Sequence, residues 1–358
     1  MSDVATECFP VIAFDKNVVT DGFCRDCDDR AQKNTAIFFC KECKKHLCAG
    51  CHKYHLQLFR KHPIYCIETS RNRKRTYDDI KLAAVGPEYM FTIDEIDELG
   101  IRLPNEKVDC CVTGICQLAD GTYIIVDQGN GKIKHIDGNN KFKIVATCSL
   151  PSWPHSVCSI DGDTIAVTVW RSERHELHFI RVAVGKMIHK NVVKLDHICK
   201  SIAHSKEANM LLIATRNTIN TYTSSGEFVR ELYRNTKGMD TVSDITISRD
   251  GNLIFLTDQL HKKIIQLDHE GNTVNAFTYP DLGDPYGVCL SHTSNHAFVC
   301  GDGPDTIIQI DGAEKNILTL ATEMDGVMCP HSLFFDAQRH MLVVGLDRGE
   351  NILVVKLK

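Results

Sequence analysis

Three Cys-x-x-Cys pairs carry the most specific chemistry in the chain: Cys24–Cys27, Cys40–Cys43 and Cys48–Cys51, followed by His55 and His62. In each pair the two-residue turn lets both sulfurs face one ion, about 2.3 Å from zinc. Eight such donors suffice for two closed tetrahedral sites, so Zn2+ is the expected cofactor, two ions per chain. A closed site leaves no position for substrate water, and the expected role is structural. A segment of about 45 residues buries too little core to fold alone, so metal must supply much of its stability. Thiol redox chemistry would need one such pair and no histidines. His46, His52, Cys8 and Cys66 are spare donors, and the choice between Cys51 and His52 stays open.

A second, weaker constellation is spread along the chain. Trp153-Pro154-His155-Ser156, Ser243-Asp244-Ile245, Pro285-Tyr286-Gly287 and Pro330-His331-Ser332 each introduce an apolar run. Two histidines and a carboxylate around one ion, with an open fourth position, would make a catalytic metal site. The plainer reading is a set of strand-entry turns with locally bonded histidines. For His155, Asp244 and His331 to meet, the fold must bring three distant segments to one axis.

The repeats do encode such a fold. Gly121–Asp137 and Gly251–Asp268 share a turn, an apolar run, an Asp-containing loop and a second apolar run ending in Asp. The pattern returns at Ala297–Asp302 with Ile307–Asp311 and at Met341–Asp347 with Ile352–Val355, and more weakly at Thr164–Val169 and Met210–Thr215. The loops start 43 to 46 residues apart, which gives six units. Short strands at this period predict the blades of a β-propeller, and helical periodicity is missing from the apolar runs. The fold class expected is all-β, a six-bladed β-propeller with a small zinc-stabilised N-terminal domain. The last unit stops after its third strand, Asn351–Leu357, so residues 90–107 are expected to close the ring and cover its open edge.

The cysteine and histidine spacing resembles the B-box zinc finger of tripartite-motif proteins, and the Asp–Gly/Asn–x–Ile loops resemble NHL repeats, the propellers of some members of that family. The resemblance implies a cross-brace: Cys24, Cys27, Cys48 and Cys51 on one ion, Cys40, Cys43, His55 and His62 on the other. It divides the chain into a tail (1–20), a B-box (21–66), a linker (67–89) and an NHL-like propeller (90–358). A RING finger, which gives such proteins ubiquitin-ligase activity, does not fit in the 23 residues before Cys24. Residues 66–107 hold no sustained heptads for a long coiled coil. The chain is therefore expected not to be an enzyme.

Composition narrows the partners. The 358 residues carry 41 Lys+Arg and 46 Asp+Glu, a net charge of −5, of which residues 108–358 hold 24 and 29. The second-to-third strand loops present Lys132, Trp170, Arg171, Arg174, Arg216, Lys262, Lys263 and Arg348 as a partner-binding rim. Asp127, Asp258, Asp302, Asp305 and Asp347 share that rim and make it a poor track for RNA phosphates. A protein partner on the propeller face is expected, with self-association or a RING protein at the B-box. The alternatives are substrate recognition in ubiquitin ligation with the RING in trans, single-stranded RNA regulation, and a channel metalloenzyme. No apolar run is long enough for a membrane helix, and Met1–Glu7 lacks the pattern of a secretory leader. A cytoplasmic protein is expected, with Arg71–Arg75 readable as a nuclear address or, more simply, as a solvated linker.

Overall fold

The structure is a computed structural model and describes residues 38–40, 43–48, 55, 64–66, 90–183, 185–238, 240–291, 296–311 and 316–358. The chain forms two compact units, Met1–Gly86 and Pro87–Lys358. Of the expected features, Cys24, Cys27, Cys51, His62, the tail, the 67–89 linker and its basic run lie outside the described residues. In the first unit β1 (Phe38–Cys40) lies between β2 (Lys45–Leu47) and β3 (Ile64–Cys66), antiparallel to both.

The second unit is a six-bladed β-propeller of four-stranded antiparallel sheets. Blade one comprises β5 (Val112–Gln117), β6 (Tyr123–Asp127), β7 (Lys132–Asp137) and β8 (Lys143–Ser149). Blade two comprises β9 (Pro154–Ser159), β10 (Thr164–Arg171), β11 (Arg174–Ala183) and β12 (Lys186–Lys194). Blade three comprises β13 (Ser201–Ser205), β14 (Met210–Ala214), β15 (Thr218–Thr223) and β16 (Phe228–Arg234). Blade four comprises β17 (Ile245–Ile247), β18 (Leu253–Asp258), β19 (Lys263–Asp268) and β20 (Thr273–Phe277). Blade five comprises β21 (Asp284–Leu290), β22 (His296–Asp302), β23 (Thr306–Asp311) and β24 (Asn316–Ala321). Blade six comprises β25 (Pro330–Asp336), β26 (Met341–Leu346), β27 (Asn351–Leu357) and, as its outer strand, β4 (Ile93–Gly100).

The sequence patterns follow from radial position. Second strands such as β6 and β26 pack on both faces and are buried along their length, so they read as unbroken apolar runs. The outer strand β8 alternates instead, with Ile144, Ala146 and Cys148 turned inward. The core lies between neighbouring blades, with Cys116, Ile124 and Val126 of blade one against Val157, Ile165 and Val167 of blade two.

Strand β4 closes the ring against β27 in a register running from Gly100↔Asn351 to Ile93↔Leu357. Phe91 anchors its entry: its ring meets Phe298 and Phe335 at 5.4 and 5.5 Å, and its backbone N–H and C=O engage the Gln309 side chain at 2.8 and 2.7 Å. Asp94, Glu95, Asp97 and Glu98 make this an acidic edge that discourages further strand pairing.

The segment leaving β4 is fixed by a buried charge node. The Lys134 ammonium, fully buried, lies 2.8 Å from Glu106 Oε2, 2.7 Å from Asp127 Oδ2 and 2.9 Å from the Ile101 carbonyl. Burial alone would raise both carboxyls, but Lys134 bonds each of them and the net effect holds Glu106 and Asp127 below their ordinary range.

Candidate metal centre and the upper mouth of the propeller

In the first unit, Cys40 ends β1, Cys43 follows in the turn to β2, and His55 is buried. One donor atom from each of these three residues lies within 4.8 Å of the others. The Cys43 backbone N–H points at Cys40 Sγ, 3.4 Å away. Two sulfurs and one imidazole nitrogen are the borderline-soft donors that tetrahedral zinc accepts, and a fourth ligand would complete the set. Cys48 is buried nearby in sequence.

In the propeller, the end where the innermost strands begin is also where the second-to-third strand connections turn; it is termed the upper end. Gly114, Ser156, Ser201 and Ser332 pair in register with their second strands, and Asp244 and Gly287 directly precede the paired residues Ile245 and Val288; together they give one waist residue per blade. These small or polar residues join each inner strand to the next. Ser156 Oγ accepts from Ile202 N–H and Ser201 Oγ from Ile245 N–H, both at 3.3 Å, and Asp244 Oδ2 accepts from Val288 N–H at 2.9 Å. Ser332 Oγ donates to the Val112 carbonyl at 2.7 Å. At Gly287 a Cβ would sit 2.8 Å from the His331 carbonyl and from Ser332 Cα, so only glycine fits.

Two rings of side chains stand above this waist. The residue before each waist position gives Thr113, His155, Lys200, Ser243, Tyr286 and His331. The first residue of each second-to-third strand connection, or its strand-end equivalent, gives Gln128, Trp170, Arg216, Gln259, Asp302 and Asp347. His155 stacks on Trp170 at 4.8 Å, and its Nε2 meets Gln128 Nε2 at 2.8 Å. His331 lies against Tyr286 at 4.6 Å, its Nδ1 buried without a hydrogen-bond partner. Burial, with the fields of His331 and Lys200, pushes the His155 imidazole down to about 3. Burial lowers His331 as well, so both rings are neutral at pH 7.

Below the waist, the axial channel is a cavity of about 870 Å³ that opens at the lower end. The waist residues Gly114, Ser156, Asp244 and Ser332 bound it above, and its wall includes Cys116, Cys158, Cys289 and Phe335.

His155, Asp244 and His331 are not brought together as ligands. His155 and His331 belong to the ring above the waist, but their equivalent in blade four is Ser243; Asp244 lies one residue on, with side-chain neighbours of its own. Its Oδ1 accepts from Ser201 Oγ and Ile245 N–H at 2.5 and 2.9 Å, and its Oδ2 from Val288 N–H. Among the described residues, the groups of three potential ligands that converge are Cys40/Cys43/His55, Glu106/Cys110/Asp127 and Asp302/Asp305/Cys329. The second of these already surrounds the Lys134 ammonium.

The expected rim residues do lie at the upper end, but most are engaged. Lys132 meets Glu106 at 3.0 Å, Arg174 Glu176 at 3.9 Å, Arg216 Asp240 at 3.4 Å, Lys262 Asp284 at 3.3 Å and Arg348 Asp347 at 3.8 Å. Arg171 lies over the Trp153 ring at 4.5 Å, Trp170 is turned to His155, and Lys263 is half-buried at the start of β19. Most of these cations are interleaved with carboxylates and do not form a positive track. The sequence reading missed the exposed apolar side chains of this end: Val108, Trp153, Leu260, Met324 and Met328. Among the described residues, the lower connections expose no large apolar side chain. Lone apolar residues in polar loops carry no periodicity by which to find them.

No protein-family model and no curated relative matches the chain. Solved structures do share the propeller. A streptogramin B lyase aligns at 16% identity and TM-score 0.52, over 75% of this chain and 98% of its own. A catalytically inactive virginiamycin B lyase from Staphylococcus aureus with quinupristin aligns at 14% identity and TM-score 0.53, over 74% and 100%. A Bacteroides thetaiotaomicron protein of unknown function aligns at 9% identity and TM-score 0.54, over 74% and 73%. At these identities the likeness establishes the fold. It also corrects the expectation that the chain is not an enzyme: that expectation rested on the missing RING finger, whereas propellers of this architecture include lyases.

Proposed function

We propose that the chain is an interaction protein in which a zinc-stabilised finger accompanies a propeller that docks a protein partner on its upper face. The observation that carries this reading is the set of exposed apolar side chains on the upper connections, Trp153, Leu260, Met324 and Met328, against none on the described lower connections; Phe228, Val229 and Val274, exposed toward the lower end, belong to outer strands. We take apolar exposure on the connections of one end, though spread over separate loops, as the mark of the docking face. In the finger, Cys24, Cys27, Cys48 and Cys51 would hold one ion and Cys40, Cys43, His55 and His62 the other, each ion supplying a cross-link that a small core cannot. The finger would associate with other chains, a RING-bearing relative among them. The test is cross-linking of the intact chain in cells, repeated with Trp153→Asp and Leu260→Asp. Neighbours lost from both variants support docking on the upper face; a neighbour set unchanged in both refutes it.

The paired neutral imidazoles favour a second reading, small-molecule chemistry at the upper mouth. Quinupristin, bound by one propeller of the same fold, is a direct probe. Conversion by the intact chain that disappears in His155→Ala and His331→Ala would support this reading, and recovery of unchanged compound would sink it.

A further inference from the structure

The upper face carries both signs, but its carboxylates are densest over blades five and six: Asp284, paired with Lys262, then Asp302, Asp305, Glu323, Asp325 and Asp347, the last beside Arg348. Within the acidic sector, Asp302, Asp305 and Cys329 each place a donor atom within 4.8 Å of the other two. Among the described residues no Lys, Arg or His nitrogen lies within 4.0 Å of the Asp302 or Asp305 carboxylate. Asp305 Oδ1 is buried without a hydrogen-bond partner within the chain.

A second observation stands beside it. Met324 and Met328 are 95% and 58% exposed, on the connection that ends in Cys329. This connection is a fixed platform. Thr322 Oγ1 accepts from Met324 N–H at 3.2 Å, and Asp325 Oδ2 accepts from Thr322 N–H at 3.0 Å, a reciprocal cap on the turn. Methionine adapts its unbranched side chain to varied apolar partners.

We propose that the sector formed by Asp302, Asp305, Met324 and Met328 receives a protein segment carrying one basic side chain beside an apolar one. The basic head enters between the two carboxylates, and its apolar neighbour lies on the methionines. The inference rests on the docking function above and adds the chemistry of the partner. An ion fits less well, because burial and the charges of Asp305 and Asp302 keep the Cys329 thiol protonated. A phosphate backbone would face carboxylates.

The test is selection of a phage-displayed random 12-mer peptide library on the intact chain, followed by affinity measurement with a synthetic consensus peptide. The expected consensus contains Lys or Arg within a few positions of an aliphatic or aromatic residue. Its affinity should fall about tenfold or more on Asp302→Asn/Asp305→Asn and on Met324→Ser/Met328→Ser, and weaken with salt. These residues are at the surface, and an unchanged melting curve separates lost binding from lost fold. A consensus that needs Trp153 or Leu260 yet has no basic residue, or that binds the Asn pair unchanged, overturns this inference and leaves docking standing. Selected peptides indifferent to every upper-face substitution overturn both. A zinc equivalent lost from the Asn pair would overturn it in favour of an ion.

Discussion

Asp244 should make the propeller less stable as pH rises, the reverse of the usual behaviour of a bonded carboxylate. Its waist position in blades two, three and six is held by serine, and in blade four a longer charged arm reaches Val288 N–H. Burial pushes the Asp244 carboxyl up to about 6 despite the bonds from Ser201, Val288 and Ile245 that pull it down. Because the folded value lies above the unfolded one, the native state binds the extra proton between about pH 4 and 6, and stability falls across that window. A shift of about two units corresponds to roughly 3 kcal/mol, an upper figure because Asp244 is only half-buried and channel water reduces the penalty. Asp244→Asn removes the titration but turns one amide N–H toward a backbone donor, at a cost of about 1–3 kcal/mol. The variant should therefore be the less stable protein at pH 4.5 and come close to wild type, or pass it, at pH 7.5. Urea unfolding at the two pH values measures this, followed by tryptophan fluorescence, since the chain's two tryptophans, Trp153 and Trp170, both belong to the propeller. A wild-type-minus-variant difference that is the same at both pH values would refute the reasoning and show an Asp244 ionised throughout.

Three other perturbations have definite outcomes. Gly287→Ala puts a methyl into the backbone of the next blade and should cost about 1–3 kcal/mol, seen as a lower urea midpoint with unchanged slope. Lys134→Ala leaves Glu106 and Asp127 buried without their cation and should cost about 3–5 kcal/mol at pH 7. That deficit should shrink as acid protonates the two carboxyls, and a pH-independent loss would mean that packing alone is at stake. If the proposed finger holds two zinc ions, Cys40→Ser should lower zinc per chain by one in elemental analysis and leave the propeller's unfolding midpoint in place; an unaltered zinc content would remove Cys40 from the metal site.

The second strands, such as Leu253–Asp258 and Met341–Leu346, were legible in the sequence because burial on both faces forces an unbroken apolar run. Outer strands were not, since β12 and β16 face solvent and tolerate most residues. The upper ring was half legible: the Pro-x-Ser/Gly entries exposed His155, Tyr286 and His331, but Thr113 and Lys200 share their positions without sharing that signature. Asp244 was set in the wrong ring by a single residue, and along a strand one residue reverses the side to which a side chain points. Only the ladder of backbone pairs fixes that register. The buried Lys134 likewise looked like any surface lysine until Glu106, arriving from the ring closure, supplied its charge partner.

The pairing of Ile93–Gly100 with Asn351–Leu357 also sets a waiting time. About 250 residues separate the two strands, so during synthesis the first emerges before blades one to five exist and its partner only after them. At roughly 5–20 residues per second this is roughly 10–50 s without the native neighbour. Four carboxylates in eight residues, Asp94, Glu95, Asp97 and Glu98, keep that strand hydrated and repel copies of itself on adjacent nascent chains. The lysines that neutralise them, Lys356 and Lys358, arrive with the partner strand, so the charge that guards the strand while it waits is cancelled when the ring closes.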